Sequence, residues 1–154
     1  MSRPRAKSLV RLPFRREKHR ANAHASGAHS VMLVEKNVSE FLRSTFRSTW
    51  SLELLFLLAD DAARCWSSQE MVAALRASEL VVNQAVENLN AAGLLVPEQE
   101  GCFRYAPPSA EVRSLVNSAR ALYAHSPDAV RRMIIRSQAN HLLKFADAFK
   151  FKKG

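Results

Sequence analysis

The chain has 154 residues and carries 23 Lys+Arg against 14 Asp+Glu, a formal net charge of +9. That length gives one domain with a core of its own plus a tail, below the usual size of a multidomain enzyme. A strongly basic balance points to an anionic partner but says nothing about fold, so the position of the charge along the chain comes first.

Residues 1–36 hold nine basic and two acidic residues, a balance of +7, whereas the remaining 118 residues hold 14 and 12, a balance of +2. The excess lies in the first quarter, in Arg3, Arg5, Lys7, Arg11, Arg15, Arg16, Lys18, Arg20 and Lys36. Residues 21–30 follow as a small, polar stretch without apolar period, which is linker composition. Residues 1–37 therefore read as a basic, disordered arm and linker, suited to non-specific phosphate contacts. Met32 stands as an alternative start of translation. His19, His24 and His29 recur every five residues, a spacing that stacks on no helix face, with only Glu17 as a nearby carboxylate. Neither a metal nor a cofactor is expected.

The most apolar run, residues 50–59, carries Glu53 and is half of the roughly 20 residues that cross a bilayer, so no membrane span is expected. No apolar stretch with a small-residue cleavage site follows the basic start, which argues against a secretory signal. Pro4 and Pro13 interrupt the long amphipathic helix that an organellar transit peptide needs. Cys65 and Cys102 are the only cysteines, far apart and in unlike settings. No disulfide framework is expected, and a reduced cytoplasmic protein is the simplest reading.

The predicted elements begin with Val38, Phe41, Leu42 and Phe46 at helical spacing. Residues 50–59 are apolar nearly all round, as in a central buried helix, and Asp60-Asp61 breaks the run. Ser67 and Glu70 form a capping box ahead of Met71, Val72 and Leu75. Ser78 starts another helix, with Glu79 in its first turn, Val82, Val86 and Leu89 on one face, and Gly93 as a left-handed stop. Residues 94–96 and 102–106 read as the two strands of a small hairpin around a turn at 97–101. Ser109 caps a helix whose Val112, Leu115, Val116, Ala119, Leu122 and Tyr123 follow a clear 3.6-residue period. Pro127 opens another carrying Val130, Met133 and Ile134, and a separate final helix is expected over 140–149.

Helix, capped helix, capped helix and hairpin over residues 48–106 resembles bacterial winged helix-turn-helix regulators of the MarR-like kind. The segment that carries the resemblance is 78–96, with its small polar start at Ser78, Val82 and Val86, Leu89, and then Gly93-Leu94-Leu95-Val96. The C-terminal run from Phe145 to Lys153 is similar to the ending of a small set of bacterial winged-helix proteins with no assigned function. The fold class that this implies is mainly α, a winged helix-turn-helix core at 38–106 with a small hairpin wing, followed by a C-terminal helical region at 107–154 for dimerisation or packing.

The resemblance implies a transcription regulator whose third winged-unit helix enters the major groove of DNA while the wing approaches phosphates. Carried over by position, the contacts are Ser78, Glu79, Leu80, Val81, Asn83, Gln84, Glu87 and Asn88, with Arg104 on the wing and Arg76 as a phosphate contact. Asn and Gln can read adenine bidentately, and Val81 could meet a thymine methyl. The charge departs from the family: residues 78–92 hold no Lys or Arg, and Glu79, Glu87, Glu98 and Glu100 outnumber Arg104. Two readings follow. In the first, the arm, through Arg3, Arg5, Arg15 and Arg16, supplies the phosphate contacts. In the second, the acidic face docks a partner protein. No Gly-rich phosphate loop, metal-ligand cluster or nucleophile arrangement supports an enzyme. The apolar Leu142, Leu143, Phe145, Phe149 and Phe151 near the C-terminus favour a homodimer.

Overall fold

A computed structural model describes the backbone of residues 20–150 and the side chains of residues 27–148. The described elements are six α-helices and one two-stranded antiparallel hairpin: α1 (Arg20–Thr45), α2 (Thr49–Asp60), α3 (Ser68–Leu75), α4 (Glu79–Ala91), β1 (Leu95–Pro97), β2 (Phe103–Tyr105), α5 (Ala110–His125) and α6 (Pro127–Lys150). The chain divides into two compact units, Met1–Leu33 and Val34–Gly154. The first is helical from residue 20 onward. All packing described below belongs to the second.

Short-range chemistry sets most boundaries. The Ser48, Ser67, Ser78 and Ser109 hydroxyls each accept a backbone N–H three residues on, at 3.2 to 3.3 Å, and so cap α2, α3, α4 and α5. Each such cap contributes on the order of 1 kcal/mol. At α3 the box is reciprocal, because Glu70 accepts from the Ser67 backbone N–H at 2.8 Å. Between α3 and α4, Arg76 adopts the left-handed conformation at φ 53°, which turns the chain within three residues. Gly93 ends α4 at φ 74°, where a glycine meets no Cβ penalty. Pro127 opens α6 as expected.

Two elements are longer than the sequence predicts. Residues 21–30, read as a linker, lie inside the 26-residue α1. Ala21, Ala23, Ala25 and Ala28 have the highest helix propensity, and polarity alone does not break a helix. The separate final helix expected at 140–149 is instead the second half of the 24-residue α6. Residues 135–139 contain neither Gly nor Pro, so nothing stops the helix that Pro127 starts.

α2 is the centre of the second unit. It touches α3, α4, β2 and α6, and its Leu52, Leu54, Leu55 and Leu58 have no exposed surface. Trp50, at the start of that apolar run, lies outside the core and is exposed. Around α2 pack Val38, Leu42 and Phe46 from α1, Val82, Ala85, Val86 and Leu89 from α4, Val116 and Ala119 from α5, and Val130 and Ile134 from α6. Burying one such leucine contributes about 1.5–3 kcal/mol. Polar ties fasten the rim. The Tyr123 hydroxyl donates to Glu53 at 2.6 Å and accepts from Arg131 at 3.0 Å, joining α5, α2 and α6. Arg120 on α5 pairs with Asp60 and donates to the Phe56 carbonyl at the end of α2.

One buried polar side chain closes the α1–α2 turn. Asn88 on α4 accepts from the Arg47 backbone N–H and donates to the Thr45 carbonyl, both at 2.9 Å. Replacing it with alanine leaves both backbone groups short of a partner, at about 1–3 kcal/mol each. N88A is expected to lower the unfolding free energy by about 2 kcal/mol in a urea titration, and an unchanged midpoint would remove Asn88 from this role.

Candidate nucleic-acid interface

α4 divides into an inner and an outer side. Val82, Ala85, Val86, Asn88 and Leu89 face the core, while Glu79, Leu80, Asn83, Gln84 and Glu87 are exposed. Val81 is half-buried, and the exposed Ser78 spends its hydroxyl on the cap. Of the expected contacts, Glu79, Leu80, Asn83, Gln84 and Glu87 therefore share one solvent face. Asn88 does not. It is buried and fully engaged by the α1–α2 turn, a correction to its reading as a DNA contact. The carry-over by position does not separate it from Asn83 and Gln84; partners more than 40 residues away pull it inward.

Arg76 is exposed at the α3–α4 turn and has no ion pair among the described residues. Arg104 on β2 is differently placed, because its guanidinium lies 2.5 Å from the Glu98 carboxylate. The wing's one cation is thereby matched within the wing. Arg64 stacks over the Trp66 ring at 3.9 Å and pairs with Glu70 at 2.8 Å. The Ser67 N–H, with Arg64 beside it, holds the Glu70 carboxyl down to about 2. Glu70 is thus ionised at neutral pH, and its charge is spent on the α3 cap. The expected arm contacts Arg3, Arg5, Arg15 and Arg16 lie outside the described residues.

The wing is held at its base. β1 and β2 pair antiparallel, with Leu95 opposite Tyr105 and Pro97 opposite Phe103. Trp66 and Phe103 exchange backbone hydrogen bonds at 2.8 and 2.9 Å, adding the α2–α3 connection to the outer edge of β2. Next to that bridge, Cys65 and Cys102 form a disulfide with Cα atoms 5.5 Å apart. This overturns the expectation of two unrelated, reduced thiols. Both cysteines directly neighbour the bridging pair Trp66 and Phe103, a proximity that only the strand pairing creates. Glu98 lies within 4.8 Å of both sulfurs. In the disulfide neither sulfur is a thiolate, the form in which cysteine binds metal.

No protein-family model matches the sequence, and no curated protein matches it. The site rests on its own geometry. Among the described residues, no helix is long and apolar enough to cross a membrane.

The disulfide closes a loop across a sequence separation of 37 that contains α3, α4 and β1. In the chain-entropy account a loop of that size stabilises the fold by about 4 kcal/mol, with engineered and strained bonds giving less. C65S/C102S is expected to lower the unfolding free energy by about 2–4 kcal/mol in urea, and the wild type with reductant should follow it. Equal stability with and without the bond would show that the Trp66–Phe103 bridge alone fixes the wing.

Proposed function

We propose that the chain is a winged-helix DNA-binding transcription regulator in which α4 meets the major groove. The observation that carries the reading is α4 itself. It follows a capped α3 through a tight turn, is anchored by its fully buried inner side, and offers Asn83 and Gln84 outward on a rigid helix ahead of a hairpin. Both amides can make bidentate contacts with adenine, each worth about 1–3 kcal/mol of discrimination. The order α2, α3, α4, β1, β2 supports the MarR-like assignment of residues 38–106.

A second reading is favoured by the pairing of Arg104 with Glu98. With that cation matched, the α4 and wing surface presents Glu79, Glu87 and Glu100, none of them in an ion pair among the described residues, together with the exposed Leu80. Such a face suits a basic partner protein. One variant separates the readings. E79K/E98K adds cations and frees Arg104, so DNA binding tightens if α4 lies on DNA, whereas capture of a basic partner is lost if the face docks protein. Selection from a randomised duplex pool completes the test. The wild type is expected to enrich a motif and N83A/Q84A to lose about tenfold or more of that enrichment; a wild type that enriches nothing would overturn the DNA reading.

The regulator reading places the chain in a bacterial cytoplasm.

The same reading includes a homodimer formed through α6. Ile135 and Leu142 lie seven residues apart on one face, with Leu143 beside the latter, and all three are more than 60% exposed. An apolar face of that kind is buried by self-association in symmetric oligomers. Light scattering is expected to give a dimer mass for the wild type and a monomer mass for I135E/L142E. A wild-type monomer at high concentration would refute the dimer.

A further inference from the structure

The second unit contains a strongly basic groove that lies away from α4 and the wing. α6 lies against the C-terminal half of α1, where the Ser137 hydroxyl donates to the Arg43 carbonyl at 2.8 Å and Gln138 donates to the Phe46 carbonyl at 3.3 Å. Beside this seam runs an open groove of about 530 Å³ whose lining includes Arg43, Arg132, Arg136, Asn140, His141 and Lys144. An adjoining hollow shares Arg43, Ser137 and His141 and adds Lys36, with Glu40 as its acidic residue.

None of the cations lining this groove is in an ion pair among the described residues, although Glu40 lies in the adjoining hollow. The arginines that form ion pairs among the described residues are Arg64, Arg104, Arg120 and Arg131, and all four lie outside it. Lys36, Arg43, Arg132, Arg136 and Lys144 pair with no carboxylate among the described residues. Five cations against one carboxylate repel one another on balance, a cost that an anionic occupant reduces.

The spacing indicates the kind of anion. Arg132, Arg136, Asn140 and Lys144 recur every fourth residue, one hydrogen-bond donor side chain per turn of a continuous helix. Consecutive members are separated by a rise of about 6 Å, and the row extends about 18 Å. A compact anion such as a single phosphate calls for donors converging on one point. A row of donors fits a linear polyanion, and one DNA strand presents a phosphate for about every 3.4 Å of axis. Among the groove-lining residues, Ala129 and Met133 are the apolar ones, which offers little to the apolar or aromatic anchor of a protein partner.

We propose that the α1–α6 groove is a phosphate-backbone track for duplex DNA. The positioning cations then sit on a rigid helix of the folded body as well as on the arm. None of the groove residues belongs to α4 or to the wing, so the track stands whether or not α4 reads bases.

The test is fluorescence anisotropy of the full chain with a random-sequence duplex of about 25 base pairs across a salt series. R132Q/R136Q/K144Q should reduce the slope of log K against log salt by about 2–3, from about 0.9 per lost phosphate contact. R132K/R136K, which keeps the charge, should retain the wild-type slope, and N83A/Q84A should retain it as well. Far-UV circular dichroism and thermal midpoints establish that the variants are folded. A wild-type slope in the folded triple variant would overturn the proposal. It would also fail if inorganic triphosphate displaced the duplex at equal concentration, which would mark a small-anion pocket, or if polyglutamate of equal charge bound as tightly as DNA, which would mark an acidic-protein site. A wild type that enriches no motif but keeps its groove-dependent salt slope would sink the α4 reading alone.

Discussion

The second unit depends on burying α2 from every side. A helix whose four core leucines are fully enclosed must be surrounded, and the remainder of the sequence supplies the surrounding surfaces in small pieces. α3 has eight residues and α4 thirteen, too short to be stable helices alone in water. They persist because their apolar sides complete the wall around α2. The outward side of α4 is then fixed by the inward one: once Val82, Ala85, Val86 and Leu89 are committed to the core, Asn83, Gln84 and Glu87 have nowhere to point but solvent. An exposed polar face of this kind costs little extra stability, being the unburied remainder of a core helix.

Two long-range ties set what α2 alone leaves free. Asn88 joins α4 to the turn between α1 and α2 through two backbone hydrogen bonds. The Cys65–Cys102 bond and the Trp66–Phe103 bridge join the base of the wing to the α2–α3 connection. The first ties one end of α4 to the body, and the second fastens the wing that follows it. Together they tie α4 and the hairpin to the core at points far apart in sequence.

The parts of this architecture that were legible in the sequence are those decided within four or five residues. Ser67 with Glu70, Ser78, Gly93, Ser109 and Pro127 each act on a neighbouring backbone group, so residue type and spacing were enough to place the helix ends. What was not legible depends on distant partners. Cys65 and Cys102 become neighbours only after Trp66 pairs with Phe103, and Asn88 turns inward only because the 45–47 turn arrives there with an unpaired N–H and carbonyl. The continuity of α1 through residues 21–30 was hidden for another reason: composition separates polar from apolar, whereas helix continuity follows alanine content, here enough to carry the helix through Gly27 at a cost of about 1 kcal/mol. On the outer face Glu79, Asn83, Gln84 and Glu87 came from the resemblance, carried over by position, which could not distinguish Asn88, one further polar residue on the same helix.

Net charge, the most conspicuous property of the chain, is a poor guide to where an anion would bind. Residues 37–154 balance to within two charges, yet that near-neutrality is spatially uneven. Several acidic residues pair with Arg64, Arg104, Arg120 and Arg131 or lie on the exposed side of α4, while Arg43, Arg132, Arg136 and Lys144 remain together along α1 and α6 without an ion pair among the described residues. Screening confines each exposed charge to a range of about 8–10 Å at physiological ionic strength, so an approaching polyanion responds to the local cluster and is largely indifferent to the sum. The row on α6 arises from repeating donor residues at every fourth position of an unbroken helix. Had the chain turned at residue 139, as its apolar pattern suggested, Lys144 would no longer continue the line begun by Arg132 and Arg136. On the phosphate-track proposal, the length of α6 sets the number of phosphates that one rigid element can follow.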